Sequence, residues 1–213
     1  MNCFKNLSGA SIIYKKLLEH KVKDVFMYSG GAIMPLVDCF YKSPINYYIN
    51  SHEQNCGHAA TGYAKSSNKT GVCVVTSGPG LTNLVTPMLD ATNDSTPLVV
   101  FSGQVPLSAM GTNAFQEAPS VEITKSITKW SYCVQDVSEL PYVVDKAFWI
   151  ANDKKKGCVH IDLPKCVLTN VLKNNDYNEF IKPENNFDIT NYDFNEVTNL
   201  INNSEKPVFY VGK

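Results

Sequence analysis

Arginine is absent from the 213-residue chain: the 19 basic side chains are all lysines, and 20 acids bring the formal net charge to −1. Proteins that read nucleic acid carry a basic surplus and use arginine forks on phosphate and guanine, so no nucleic-acid partner is expected. No apolar run approaches the roughly 20 residues that span a bilayer, so no membrane partner is expected either. The first thirteen residues hold one lysine and a short apolar stretch, with neither a long signal core nor an Arg/Ser-rich amphipathic pattern. The simplest expectation is a cytosolic protein without a targeting segment. Cysteine pairs are missing too: seven cysteines are an odd number and none forms a Cys-x-x-Cys. Most sit in apolar runs such as Val72-Cys73-Val74 and Gly157-Cys158-Val159, the setting of reduced core thiols. His52, Cys56 and His58 are the tightest His/Cys group, too scattered for a structural zinc site, and no metal ligand is expected. There is no G-x-G-x-x-G and no P-loop, so neither a dinucleotide site nor an ATPase is supported.

What the chain does have is enough apolar residue, 44% against 18% charged, to fold rather than remain disordered. At this length one core buries roughly 70% of the unfolded surface without a disulfide or metal. From Gly9 onward helical periods alternate with short apolar strands. Helices are read at Gly9 to His20, Ala32 to Tyr41, Glu53 to Ser66, Leu81 to Thr92 and Ser138 to Ala151. Strands are read at Val25 to Tyr28, Ile45 to Ile49, Val72 to Thr76, Leu98 to Ser102, Tyr132 to Val134 and Val159 to Ile161. Strands apolar on both faces and alternating with helices imply an α/β fold, a doubly wound, mostly parallel sheet covered by helices on both sides. Ligands in such folds sit at the carboxyl ends of the strands.

After Pro164 the composition changes: eleven asparagines lie between Asn170 and Asn203. Residues 1–166 are expected to form the α/β domain and 167–206 an Asn-rich linker with one weak helix near Phe194 to Ile201. Residues 207–213, apolar after Pro207, read as the first strand of a further, truncated domain.

Three glycine turns follow strands: Ser29-Gly30-Gly31, Ser77-Gly78-Pro79-Gly80 and Ser102-Gly103-Gln104. Such turns let backbone amides approach an anion or a cofactor ring, though glycine also ends strands for purely architectural reasons. Glu53 stands just past a strand and opens a helix, where an acid stabilises the helix dipole or serves a site. Gln116 and Glu117 lie in a long loop beside Phe115, an aromatic in a polar setting. Lys125 and Lys129 read as a solvated basic face.

The run Ser51-His52-Glu53-Gln54, followed by Ala59-Ala60-Thr61-Gly62-Tyr63-Ala64, resembles the N-terminal, pyrimidine-binding domain of thiamine-diphosphate enzymes, and Thr76-Ser77-Gly78-Pro79-Gly80-Leu81-Thr82-Asn83 is similar to the next motif of that family. Within it, Gly103-Gln104-Val105-Pro106, Gly111-Thr112-Asn113-Ala114-Phe115-Gln116-Glu117 and Thr124-Lys125-Ser126-Ile127-Thr128-Lys129 resemble the catalytic subunit of acetolactate (acetohydroxyacid) synthase. Val159-His160-Ile161-Asp162-Leu163-Pro164-Lys165 is like the family's domain-closing strand. The resemblance runs from about residue 8 to 166.

It implies a thiamine-diphosphate-binding fold and a carboligase that decarboxylates pyruvate and passes the two-carbon unit to a second 2-oxo acid. Glu53 would bond N1′ of the aminopyrimidine and favour its imino tautomer, so that the 4′-imino group takes up the C2 proton of the neighbouring thiazolium ring. Gly30, Gly31, Pro79, Gly80 and Asn83 would lie at the cofactor, Gln116 would join Glu53 as catalytic, and Ala32, Pro106, Phe115 and Lys129 would line the substrate channel. Ser29, Leu107-Ser108, Asn113 and Trp130 depart from the residues usual in the family. A larger departure is the missing Gly-Asp-Gly, the motif that holds Mg²⁺ and diphosphate. The chain therefore offers the pyrimidine half of a thiamine diphosphate site, with Mg²⁺ and FAD expected only with further domains. A homodimer, or a partner chain carrying the diphosphate-binding domain, would complete it. The alternatives are a free-standing, non-catalytic pyrimidine-domain protein that binds a ligand or partner, and another family member such as a pyruvate oxidase or decarboxylase.

Overall fold

Ser8 starts the first helix, α1 (Gly9–Glu19), by accepting the Ser11 amide on its hydroxyl at 3.2 Å. This cap satisfies one of the orphan amides of the first turn. Ile12, Ile13 and Leu17 on the inner face are fully buried. The structure, a computed structural model, describes residues 4–174, 176–183 and 192–211. After α1 come β1 (Asp24–Met27), α2 (Met34–Asp38), β2 (Asn46–Ile49), α3 (Glu53–Ser67), β3 (Gly71–Val75), α4 (Pro79–Thr82) and α5 (Val85–Asn93). Then follow β4 (Leu98–Gln104), α6 (Ser120–Thr124), β5 (Trp130–Cys133), α7 (Leu140–Asn152), β6 (Cys158–Pro164) and α8 (Lys165–Thr169). One single helix was expected over Leu81 to Thr92, but α4 and α5 are separate. Pro87 has no amide to give the carbonyl of Asn83, and it is tolerated because the break leaves it in the first turn of α5.

The sheet has six strands in the order β2-β1-β3-β4-β6-β5, all parallel. Alternate residues divide its two faces. Val72, Val74, Val99, Phe101, Val159 and Ile161 join α1, α7 and α8 in one core, whereas Cys73, Val75, Leu98, Val100 and Cys158 join α3 and α5 in the other. This is the doubly wound α/β architecture read from the sequence. Cys56, Cys73 and Cys158 all lie in the second core, where burial pushes the Cys73 and Cys158 thiols up and leaves them unreactive. The expectation of strands buried on both faces holds for β3, β4 and β6, holds on one face only for β1, and fails at the edges. All four residues of β2 are exposed and β5 is half-buried. An edge strand has one neighbour, and β2 is held through the Tyr48 ring stacked on Phe26 at 5.2 Å. The Tyr48 hydroxyl also donates to Asp24 at 3.1 Å.

The described chain divides into two units, Met1–Phe180 and Ile181–Lys213. The first ends beyond residue 166, where the linker was expected to begin. That boundary falls inside α8, and Val171 forms an antiparallel bridge with Ser8. The Leu172 amide donates to Leu7 at 2.9 Å and its carbonyl accepts from Asn6 at 2.7 Å. In the second unit α9 (Asn195–Asn202) occupies the place of the helix expected near Phe194 to Ile201. Residues 207–211 form no strand, because a strand needs a paired neighbour and none among the described residues pairs with them. Gly212 and Lys213 lie outside the described residues. Among those described, no helix is long and apolar enough to cross a membrane.

Candidate active site

The strand order reverses at β1, and the loops after β1, β2 and β3 meet there. Past β2 the chain turns through Ser51 and His52. His52 is extended (φ −154, ψ 143) and caps α3, its ring Nδ1 accepting the Gln54 amide at 3.1 Å. Glu53 is thereby the first residue of α3, yet its side chain is turned inward and is 9% exposed. Asn83, which ends α4, donates from Nδ2 to Glu53 Oε2 at 2.9 Å. Oε1 makes no hydrogen bond to the described residues. A buried carboxylate beside a helix N-terminus, oriented through one oxygen and open at the other, can take or give a proton on a ligand nitrogen.

The glycine turns after β1 and β3 pack closely on Thr76. A Cβ on Gly30 would stand 2.5 Å from the Cβ of Thr76 and 2.6 Å from its hydroxyl, and one on Gly80 would stand 2.9 Å from the Thr76 methyl. Thr76 is buried, and its Oγ1 has no hydrogen-bond partner among the described residues. Gly78, φ +56, opens α4 in a conformation that side chains rarely adopt, and a Cβ there would lie 2.6 Å from the carbonyl oxygen of Gln116. Around Gly31 there is open space. Thr76 fills the space that side chains on Gly30 and Gly80 would need, and the open carboxylate oxygen of Glu53 with the clear space at Gly31 fits a planar heteroaromatic ring with polar edges. The chemistry of this set suits the pyrimidine of thiamine diphosphate.

The profile of the thiamine pyrophosphate enzyme, N-terminal TPP binding domain, matches residues 7–123. The chain belongs to this family. It is similar to the mitochondrial acetolactate synthase of Schizosaccharomyces pombe, 44% identical over 221 residues, covering 98% of this chain and 33% of the relative. The mitochondrial acetolactate synthase catalytic subunit of Saccharomyces cerevisiae is 44% identical, with 98% and 32% covered. Chloroplastic acetolactate synthase 1 of Zea mays is 49% identical over 158 residues, with 74% and 25% covered. The chain thus spans about a third of the length of the first two of these curated relatives. The resemblance read from its motifs is borne out.

In this thiamine pyrophosphate enzyme domain, Glu53, Asn83, Gly30 and Gly80 converge as described. Pro79 is exposed at the start of α4, and Gln116 reaches the cluster through its carbonyl on Gly78. Ala32 packs against Gly103, whose Cβ would come within 2.9 Å of the Ala32 methyl. Phe115 is 89% exposed and Pro106 is exposed just past β4, at the same end of the sheet. Lys129 is not at this end. It precedes β5, at the amino ends of the strands, and its Nζ donates to the carbonyls of Ile150 and Asp153. Those carbonyls close α7, which explains the position: a lysine at a helix C-terminus meets unpaired carbonyls and a negative dipole end. The lysine that follows a strand at the carboxyl end is Lys165, exposed after β6. Gln104 pairs with Pro164, so Pro106 and Lys165 leave the sheet side by side. Its signal was a cation directly after the strand-closing Asp162-Leu163-Pro164.

The sequence reading also missed a sealed polar network at these strand ends. Gly103 and Gln104, expected to turn after a strand ending at Ser102, continue β4, because β6 runs on to Pro164 and pairs with them. The Ser102 hydroxyl donates to Asp162 Oδ1 at 2.6 Å, and Gln104 Nε2 donates to Asp162 Oδ2 at 2.9 Å. His160 Nε2 lies 2.8 Å from Ser102 Oγ. With the serine proton given to Asp162, Nε2 must be the donor, leaving Nδ1 to accept from Ser131 at 2.9 Å. Burial pushes His160 down to about 3 and Asp162 up to about 6, the latter against its bonds from Ser102 and Gln104. Ser102 and His160 are fully buried, and the serine proton points at the acid rather than at the histidine, so this triad-like set cannot act as a nucleophile site. Alternating polar residues inside apolar strands, His160 with Asp162 and Ser102 with Gln104, were its signal.

Proposed function

We propose that the chain supplies the pyrimidine-activating half of an acetolactate-synthase-type carboligase, which decarboxylates pyruvate and transfers the two-carbon unit to a second 2-oxo acid. The observation that carries this reading is the buried Glu53 carboxylate, oriented by Asn83 at 2.9 Å through one oxygen and open at the other. Thiamine diphosphate, when bound, supplies the carbanion chemistry. The chain's residues do the rest. Asn83 fixes Oε2, Oε1 exchanges a proton with a ring nitrogen, and Gly30, Gly80 and Thr76 form a close, water-poor floor. Pro106, Phe115 and Gln116 face the 2-oxo acid.

By this reading, the Mg²⁺–diphosphate contacts and any FAD site belong to sequence matching the other two thirds of the relatives, in the same polypeptide or in a partner chain. The working site is completed in a homodimer. Cytosolic residence is likewise a proposal, set against relatives named mitochondrial or chloroplastic, and fractionation of the source cells decides it.

The test is acetolactate formation from pyruvate. The chain alone, given thiamine diphosphate and Mg²⁺, is expected to form none, and steady product would overturn the half-site reading. Joined to the remaining two thirds of the budding-yeast relative, it is expected to turn over. In that enzyme Glu53→Gln, which keeps the shape and removes the exchangeable charge, is expected to lower kcat by roughly 10²–10⁴-fold.

A further inference from the structure

The turn from Gly111 to Glu117 is held by bonds that the pyrimidine site itself does not use. The Glu117 carboxylate spans it: the Gly111 amide donates to Oε1 at 2.5 Å and the Ala114 amide to Oε2 at 3.0 Å. Glu117 in turn donates its own amide to the Ala114 carbonyl at 2.9 Å. Within the turn Gly111 (φ 81), Asn113 (φ 59) and Gln116 (φ 61) are all left-handed, a region that glycine and asparagine tolerate and glutamine disfavours. A turn of this shape needs a fastener. The same amides hold the Glu117 carboxyl below the usual carboxylate range, so the fastener is ionised throughout the neutral range.

The turn is also docked on the site. The Gln116 carbonyl rests on Gly78, which opens α4, and Asn83 at the end of α4 orients Glu53. On the other side Gln104 donates to the Ala118 carbonyl at 2.9 Å. Between these anchors Phe115 projects almost fully exposed.

We propose that Glu117 is a positioning residue for the substrate side of the site: its carboxylate ties the amides of Gly111 and Ala114 into one turn and so sets where Phe115 and Gln116 stand beside the 2-oxo acid. This rests on the carboligase reading. It assigns Glu117 no contact with cofactor or substrate, and it separates two effects of its loss. Cofactor binding stays, whereas substrate capture weakens.

Two variants test it, Glu117→Ala, which removes both acceptors, and Glu117→Gln, which keeps one. In the full chain, hydrogen–deuterium exchange of the amides from Gly111 to Glu117 is expected to rise about tenfold or more in E117A and less in E117Q. In the complete enzyme, KM for pyruvate is expected to rise about fivefold or more in E117A, with kcat and thiamine diphosphate affinity within about twofold of wild type and partial rescue in E117Q. Unchanged exchange would overturn the clamp itself. Faster exchange with an unchanged KM would reduce Glu117 to a turn staple and overturn its role in positioning. A complete wild-type enzyme that forms no acetolactate would overturn the carboligase reading and the substrate half of the proposal with it, while the exchange data still judge the clamp.

Discussion

Ser102, Gln104, His160 and Asp162 place four polar side chains inside the sheet, and two of them titrate in opposite senses. His160 is held neutral down to about 3, against an ordinary 6.5. Its native form therefore binds fewer protons than the unfolded chain, and its stabilisation is lost as the pH falls from about 6.5 toward 3. Asp162 is raised from 3.8 to about 6, so its native form binds more protons, and its stabilisation is full below about 4 and lost as the pH rises to about 6. A tenfold change in proton affinity corresponds to ~1.4 kcal/mol, so each group contributes a few kcal/mol, and between pH 4 and 6 the two partly cancel. Asp162→Asn removes one slope and leaves the other. Urea unfolding at pH 4, 5, 6 and 7 is expected to show a steeper loss of stability on acidification in D162N than in the wild type. Parallel curves would show that Asp162 does not titrate in this range. D162N should also be less stable at pH 7, because Ser102 and Gln104 donate to different oxygens of Asp162 and one of these becomes an amide donor in Asn.

At the scale of elements, the site depends on how three loops leave their strands. Gly78 is the tightest point: with φ +56 and the Gln116 carbonyl 2.6 Å from where a Cβ would sit, it permits no side chain without backbone movement. Gly78→Ala is expected to cost about 1–3 kcal/mol, read as a fall in Tm, and to loosen the turn at Gln116. Gly31→Ala, with open space around it, is expected to stay within about 0.5 kcal/mol of the wild type. Equal effects of the two would mean that the approach of Gln116 to Gly78 does not matter. These elements were legible in the sequence wherever local signals and packing agree. The alternation of strands and helices gave the doubly wound fold, and a strand followed by Ser51-His52-Glu53 placed the carboxylate. What was not legible depends on partners distant in sequence. β4 extends through Gln104 only because β6 extends through Pro164 beside it. Lys129 and Lys165 are alike as local sequence, but one caps α7 and the other leaves the carboxyl end of β6. Which end of a parallel sheet a loop lies on follows from the full strand path, not from the residues in the loop.

At the scale of the whole molecule, the two units differ in what they can bury. The first has cores on both faces of a six-stranded sheet. In the second, Phe194, Val197, Leu200, Val208, Phe209, Tyr210 and Val211 are all exposed, and α9 spans eight residues. A helix that short is marginal alone, and an apolar segment without paired strands cannot satisfy its backbone. Folding free energy therefore resides in Met1–Phe180. A chain ending at Phe180 is expected to unfold cooperatively within ~2 °C of the full chain, a difference worth under about 1 kcal/mol at this size. It should also self-associate less, because the exposed apolar residues after Ile181 are gone. A chain cut at residue 166 is expected to melt well below both. It loses most of α8, the Ser8–Val171 bridge and the Leu172 bonds to Asn6 and Leu7, and with them buried Val167, Leu168 and Leu172. Thermal melts of the three chains separate the boundary the fold supports from the one its composition suggested. If the chain ending at 166 melted with the full chain, residues 167–180 would be linker after all. If instead the chain ending at Phe180 failed to fold, the second unit would contribute to the core of the first.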